Sequence, residues 1–171
     1  MYQNRMQPAG PAPIVVGIDG SPASRTALRW ALREADRTGS TIEAVSVWTP
    51  TPPSHYAYAW AAAVWSEDDV ARATETALLD TLVEVTREYG RSAPIRPRVL
   101  RGRPADELLR VARTAQMLVL GGPAHGRVAG LLLGSVSHQC VQEAECPVMI
   151  VPADARQVTR DLLSITERSW N

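Results

Sequence analysis

The chain contains no lysine and no phenylalanine, so all 18 of its basic residues are arginines. Without lysine there is no ammonium to set against a β/γ-phosphate in a Walker A loop, and none to form a Schiff base. Any phosphate must be met by backbone N–H groups, hydroxyls or guanidinium groups. Cysteine is scarce as well. Cys140 and Cys146 form no Cys-x-x-Cys pair, and the histidines are scattered at 55, 125 and 138, so metal-site spacing is missing. Cys140 reads as a buried helix-face residue and Cys146 as the approach to a strand, both structural. Acidic and basic residues cancel at 18 each, and no run of like charge offers a footprint for a nucleic-acid backbone. The opening "MYQNRMQPAGPAP" has no apolar signal core, and no apolar run is long enough to span a bilayer. The expectation is a cytoplasmic protein with neither membrane nor nucleic acid as a partner.

What is present is an ordinary globular composition, 45% hydrophobic and 21% charged over 171 residues, enough for one domain with short extensions. Residues 1–13 are polar and proline-rich and are expected to form a flexible tail. "IVVGI" (14–18) is a short apolar run of the kind buried on both faces of a sheet. Ser21-Pro22 then caps and opens a helix, Ala27, Leu28, Ala31, Leu32 and Ala35 recur at helical spacing, and Gly39 stops it. "IEAVSVW" reads as a second strand, and Ser66 followed by three acids opens a helix that runs to Gly90. "IRPRVL" is a third strand, placed at an edge or bulge by Pro97. Pro104 opens another helix, "MLVL" is the fourth strand, a helix follows from Ser135, and "VMIV" is the fifth strand. Strands alternating with helices predict an open α/β fold with a parallel sheet, whose ligands lie beyond the carboxyl ends of the strands at the topological switch point.

Two turns stand at such ends. One is "GIDGS" after the first strand. The other begins "GGPAHG" after the fourth and continues through "RVAGLLLGSVSHQ" into a helix. The first N–H groups of a helix lack intrahelical partners and carry the positive end of its dipole. Gly134 would let a ligand approach without a Cβ in the way, and Ser135 and Ser137 add hydroxyls. Gly134-Ser135 is thus either an anion site or simply a helix cap, and local pattern leaves both open. No nucleophile elbow, paired carboxylates or kinase motifs appear, and the dinucleotide fingerprint is missing after the first strand. His125 and His138 read as exposed residues, and Tyr56, Tyr58, Trp60 and Trp65 as packing within their own loop. No enzyme is expected.

Taken in order, "VGIDGS", "GRPADELL", "LVLGG" and "GLLLGSVS" running into "CPVMIV" resemble the universal stress protein family over residues 14–151. The resemblance implies a Rossmann-like, five-stranded parallel sheet with helices on both faces, usually dimeric. It also implies ATP bound through glycine, two residues, glycine, nine residues, then Gly-Ser or Gly-Thr. Here Gly121, Gly134 and Ser135 take three of those positions. The implied site comprises Gly17, Ile18 and Asp19 after the first strand, Val47 near the end of the second, and Leu120, Gly121, Gly122, Pro123 and Ala124 after the fourth. Gly134, Ser135, Val136 and Ser137 complete it. Asp19 and Val47 would contact the adenosine.

The sequence departs from the pattern at the second glycine, which is Ala124 and follows Pro123. If that position needs a left-handed backbone, alanine costs on the order of 1–2 kcal/mol there. Gln116 also stands where the family usually has an acid. The function implied is a non-catalytic stress-response regulator that binds ATP, with or without Mg²⁺, weakened by Ala124, and acts on an unidentified signalling partner. The alternative is a dimeric interaction module that binds no nucleotide. The expected dimer contact is the last strand, Val148, Met149, Ile150 and Val151, in a domain of residues 14–152. The extension 153–171 is expected to carry a helix from about 154 to 168, through Val158, Leu162, Leu163 and Ile165.

Overall fold

The computed structural model describes residues 10–50, 66–90, 94–122 and 133–153. Its elements alternate along the chain: β1 (Ile14–Gly17), α1 (Pro22–Thr38), β2 (Ile42–Trp48), α2 (Glu67–Tyr89), β3 (Ile95–Arg101), α3 (Pro104–Ala112), β4 (Met117–Gly121), α4 (Ser135–Glu143) and β5 (Val148–Val151). Their ends follow from local chemistry. The Ser21 hydroxyl accepts from the Ser24 amide at the start of α1, and Gly39 ends that helix at φ 71°. In α2 the cap is reciprocal: Ser66 accepts from the Asp69 amide while the Asp69 carboxylate accepts from the Ser66 amide. Gly90 closes α2 in the same left-handed conformation as Gly39.

The five strands form one parallel sheet in the order β3-β2-β1-β4-β5. Pro97 sits in β3, at one edge, where its missing N–H disrupts no inner ladder. The central strands are buried on both sides. Ile14, Val16 and Val119 face a core completed by α1 and α2, whereas Val15, Val45, Leu118 and Leu120 face one completed by α3 and α4. This two-sided burial is why these strands read as unbroken apolar runs.

Strand order decides where a ligand could sit. From β1 the chain steps outward to β2 and β3, then returns past β1 to β4 and continues to β5. Between β1 and β4 the connections part in opposite directions, which opens a crevice at the carboxyl ends of these two strands. Gln116 lies at the opposite end. Its amide donates to the Pro13 carbonyl and its side chain to the Ala12 carbonyl and the Ser40 hydroxyl, so it ties down the first strand away from the crevice. No helix among the described residues is long and apolar enough to cross a membrane.

Candidate functional site

The β1 side of the crevice is a turn built around Asp19. The Ile18 amide makes the last ladder bond, to the Val45 carbonyl at 2.8 Å, and the Ile18 side chain is buried in the core. Ile18 can therefore offer a ligand only its backbone. Gly20 then takes φ 78°, a left-handed turn that an L side chain would strain. This turn brings Asp19 back over the start of α1, where its Oδ1 accepts from the Ser21 amide at 2.9 Å. Partial burial works against its charge, but hydrogen bonds from Ser21 and from the Ser24 hydroxyl outweigh it and hold the carboxyl below its ordinary value. Asp19 is thus a fixed, ionised acceptor. Arg25 steadies the turn from below, donating to the Gly20 carbonyl at 2.5 Å and pairing with Glu84. Gly20 belongs to the "GIDGS" turn of the sequence, where Asp-Gly-Ser between a strand and a helix is the signal.

The β4 side shows glycines with different reasons for being glycine. A Cβ on Gly121 would fall 2.6 Å from the Ala23 carbonyl carbon and 2.8 Å from the Ser24 nitrogen, so the first turn of α1 lies directly on it. Gly122 would place a Cβ 3.1 Å from Ile150, and its amide donates to the Val151 carbonyl at 2.8 Å. That amide is occupied within the sheet. Gly17 likewise makes room for a side chain: a Cβ there would lie 2.7 Å from a Leu120 methyl. Pro123 and Ala124 lie outside the described residues, as does His125.

Gly134 differs. Among the described residues no atom lies within 4 Å of where its Cβ would be, and its φ of −68° is open to any residue. It occupies the N-cap of α4 with no side chain of its own, and among the described residues no other side chain caps the positive end of that helix. Ser135 is exposed beside it. Ser137, by contrast, is buried, and its hydroxyl points at the Gly121 carbonyl at a long 3.4 Å, which joins α4 to the end of β4. Val136 packs into the core beside α3, as does Leu120. Val47, half-buried near the end of β2, faces the same side.

A third turn at this end of the sheet was not among the sequence candidates. The Gly102 amide donates to the Trp48 carbonyl at 2.9 Å, and the Thr49 hydroxyl donates to the Gly102 carbonyl at 3.0 Å. Gly102 has φ 151°, and a Cβ would meet Glu107 at 2.9 Å. The turn joins the ends of β2 and β3 to the start of α3. Its signal was present in "GRPADELL", but the pairing with Trp48 depends on the fold.

Reactive chemistry has little material in the described residues. Burial pushes the Cys140 thiol up to about 11, with Glu143 and Asp106 adding to the effect, and burial also raises Cys146. No group of three or more histidine, cysteine, aspartate or glutamate residues is placed to hold a metal ion among the described residues.

This arrangement can be compared with known proteins. The sequence model of the universal stress protein family matches residues 12–152. A universal stress protein of Mycobacterium tuberculosis is 35% identical over 154 residues, covering 84% of this chain and 49% of the relative. The chain spans about half the length of the curated relatives it matches. A solved universal stress protein in complex with cAMP has a TM-score of 0.59 at 24% identity, covering 85% of this chain and 100% of that one. A family protein from Arabidopsis thaliana with AMP bound has a TM-score of 0.55 at 22% identity, covering 86% and 95%. With the match to the family model, the 35% identity and the likeness in fold to solved family members all in agreement, this chain belongs to the universal stress protein family.

Proposed function

We propose that this chain is a non-catalytic regulator that binds an adenine nucleotide in the crevice between β1 and β4, in the reducing setting of the cytoplasm. The carrying observation is the N-terminus of α4 at Gly134-Ser135, which no side chain caps among the described residues and which is set at the switch point of the sheet. Across the crevice, the ionised Asp19 and the end of β2 at Val47 supply acceptors suited to a nucleoside rather than to a second phosphate. The relatives with cAMP and AMP support the adenine part of the reading. ATP, with Mg²⁺ as its counter-ion, is the proposed cellular ligand. The Gly121 and Gly122 positions contribute chiefly by letting α1 and β5 close around the crevice. Calorimetric titration with ATP and with AMP, each with and without Mg²⁺, tests this. Binding that weakens on Ser135→Ala is the expected result. Silence at millimolar nucleotide, in both the natural chain and Ala124→Gly, would remove the nucleotide reading.

The second reading, a dimeric interaction module, draws on β5. Among the described residues this strand pairs only with β4, and its outer edge offers unpaired backbone groups to a second copy. Self-pairing through Val148, Met149, Ile150 and Val151 would cover them. A nucleotide-free chain that is dimeric by light scattering, with no heat on titration, would favour this reading over the first.

A further inference from the structure

The side of the sheet that carries α1 and α2 is unevenly covered. Those two helices lie over the first four strands in chain order, and β5 meets only one flank of α1. Along β5 the side chains alternate. Val148 and Ile150 pack beneath α4, whereas Val151 is buried on the α1 side, and Met149, which shares that face, is 38% exposed.

The flank of α1 that looks toward β5 is marked by Thr26, whose hydroxyl is shared between the Pro22 carbonyl at 3.0 Å and the Ala153 carbonyl at 3.2 Å. One turn further along that flank lies Trp30, which is only partly buried. The opposite flank is already engaged with α2, through Arg25 with Glu84, Arg29 with Glu88, and Asp36 with the Tyr89 hydroxyl. Trp30 and Met149 therefore border a strip that no described element covers, with Glu34 and its partner Arg37 next along the same flank of α1.

The chain itself delivers a candidate to this strip. Ala153 is the last residue described before residues 154–171, and Thr26 holds it at the upper end of the strip. In that stretch Ala155, Val158, Leu162 and Ile165 recur at intervals of three, four and three, an apolar stripe of helical period, with Leu163 to one side. Asp154, Arg156, Arg160, Asp161, Glu167 and Arg168 fall between them. We infer that residues 154–168 form a helix that runs beside α1 across the face of β5, with Val158 and Leu162 seated on Trp30 and Met149.

The direction suits the geometry. A strand ends where α1 begins, so a helix leaving Ala153 runs back along the sheet parallel to α1, as helices do after strands in this fold class. At 1.5 Å per residue such a helix is about 22 Å long, close to the roughly 25 Å of α1. A single amphipathic helix of this length is marginal in water, so the strip supplies the packing it needs. The hydrogen-bonding edge of β5 stays free beside it.

Methionine oxidation tests the inference in the full chain. Met149 is treated with dilute peroxide and followed by peptide mass spectrometry at several protein concentrations, with hydrogen exchange recorded over residues 158–165. The expected result is slow exchange there, and Met149 oxidation at least several-fold slower than in Leu162→Asp, independent of concentration. Leu162 lies beyond the family-matched residues, and a retained cooperative thermal unfolding transition of the variant is the control for folding. Equal oxidation rates, or full exchange within seconds in the natural chain, would overturn the inference. Protection that grows with concentration and persists in Leu162→Asp would overturn it as well, because a second copy would then be the cover.

Discussion

Gly121→Ala separates two explanations for the first glycine of the loop motif. If that glycine served only the ligand, alanine would leave the nucleotide-free protein as stable as before. The structure argues otherwise, because the added methyl would sit 2.6 Å from the Ala23 carbonyl carbon and 2.8 Å from Ala23 Cβ and the Ser24 nitrogen. Two of these three atoms are backbone, so no rotamer change relieves the clash. Contact at an ordinary ~3.4 Å requires α1 to lift from β4 by about 0.8 Å, in a close-packed interior that yields little. Overpacking of this kind costs about 1–3 kcal/mol, and the backbone contact puts Gly121→Ala toward the upper end. For a chain of this size that corresponds to a fall in Tm of roughly 4–10 °C. The assay is urea and thermal unfolding followed by circular dichroism, with nucleotide stripped from both proteins. A loss below about 0.5 kcal/mol would refute the packing argument, since that is the scatter of neutral surface changes.

Three further outcomes are expected. Gly134→Ser should move stability and binding in opposite directions. The new hydroxyl can cap the α4 amides and add only about 0.3 kcal/mol, because glycine is itself a fair N-cap, while competing for those amides weakens adenine nucleotide in calorimetry; tighter binding would contradict this account. Asp69 has its carboxyl lowered from the ordinary aspartate value to about 2, first by the Ser66 hydroxyl and then by Arg72. Its contribution is therefore present above about pH 4 and is lost as pH falls toward 2, so the stability gap between the natural chain and Asp69→Asn should close over that window in acid titrations of unfolding. Cys140, buried with its thiol near 11, should resist alkylation at pH 8 in the folded protein and react at once in denaturant; rapid modification of native Cys140 would show that α4 opens readily.

Much of the fold could be read without coordinates because its signals are local. A hydroxyl at Ser21 or Ser66, a proline at Pro22 or Pro104 and a glycine at Gly39 or Gly90 act on φ, ψ and amides within a turn of themselves, so each helix boundary is written beside the helix it bounds. The apolar runs of β1 and β4 and Pro97 in β3 declared inner and edge strands for the same reason, whereas the equally apolar run of β5 proved to be the other edge. What only the tertiary structure decided is what each candidate residue is for. In sequence, Gly121, Gly122 and Gly134 are three glycines of one glycine-rich stretch. In space, Gly121 seats α1, the Gly122 amide is bound to Val151, and Gly134 alone faces open ground among the described residues. Ser135 and Ser137 look alike two residues apart, yet helical geometry exposes the first and turns the second inward to Gly121. Such distinctions rest on contacts between residues far apart in the chain, made when β4 slots in beside β1, and a one-dimensional pattern does not record which surfaces those contacts consume.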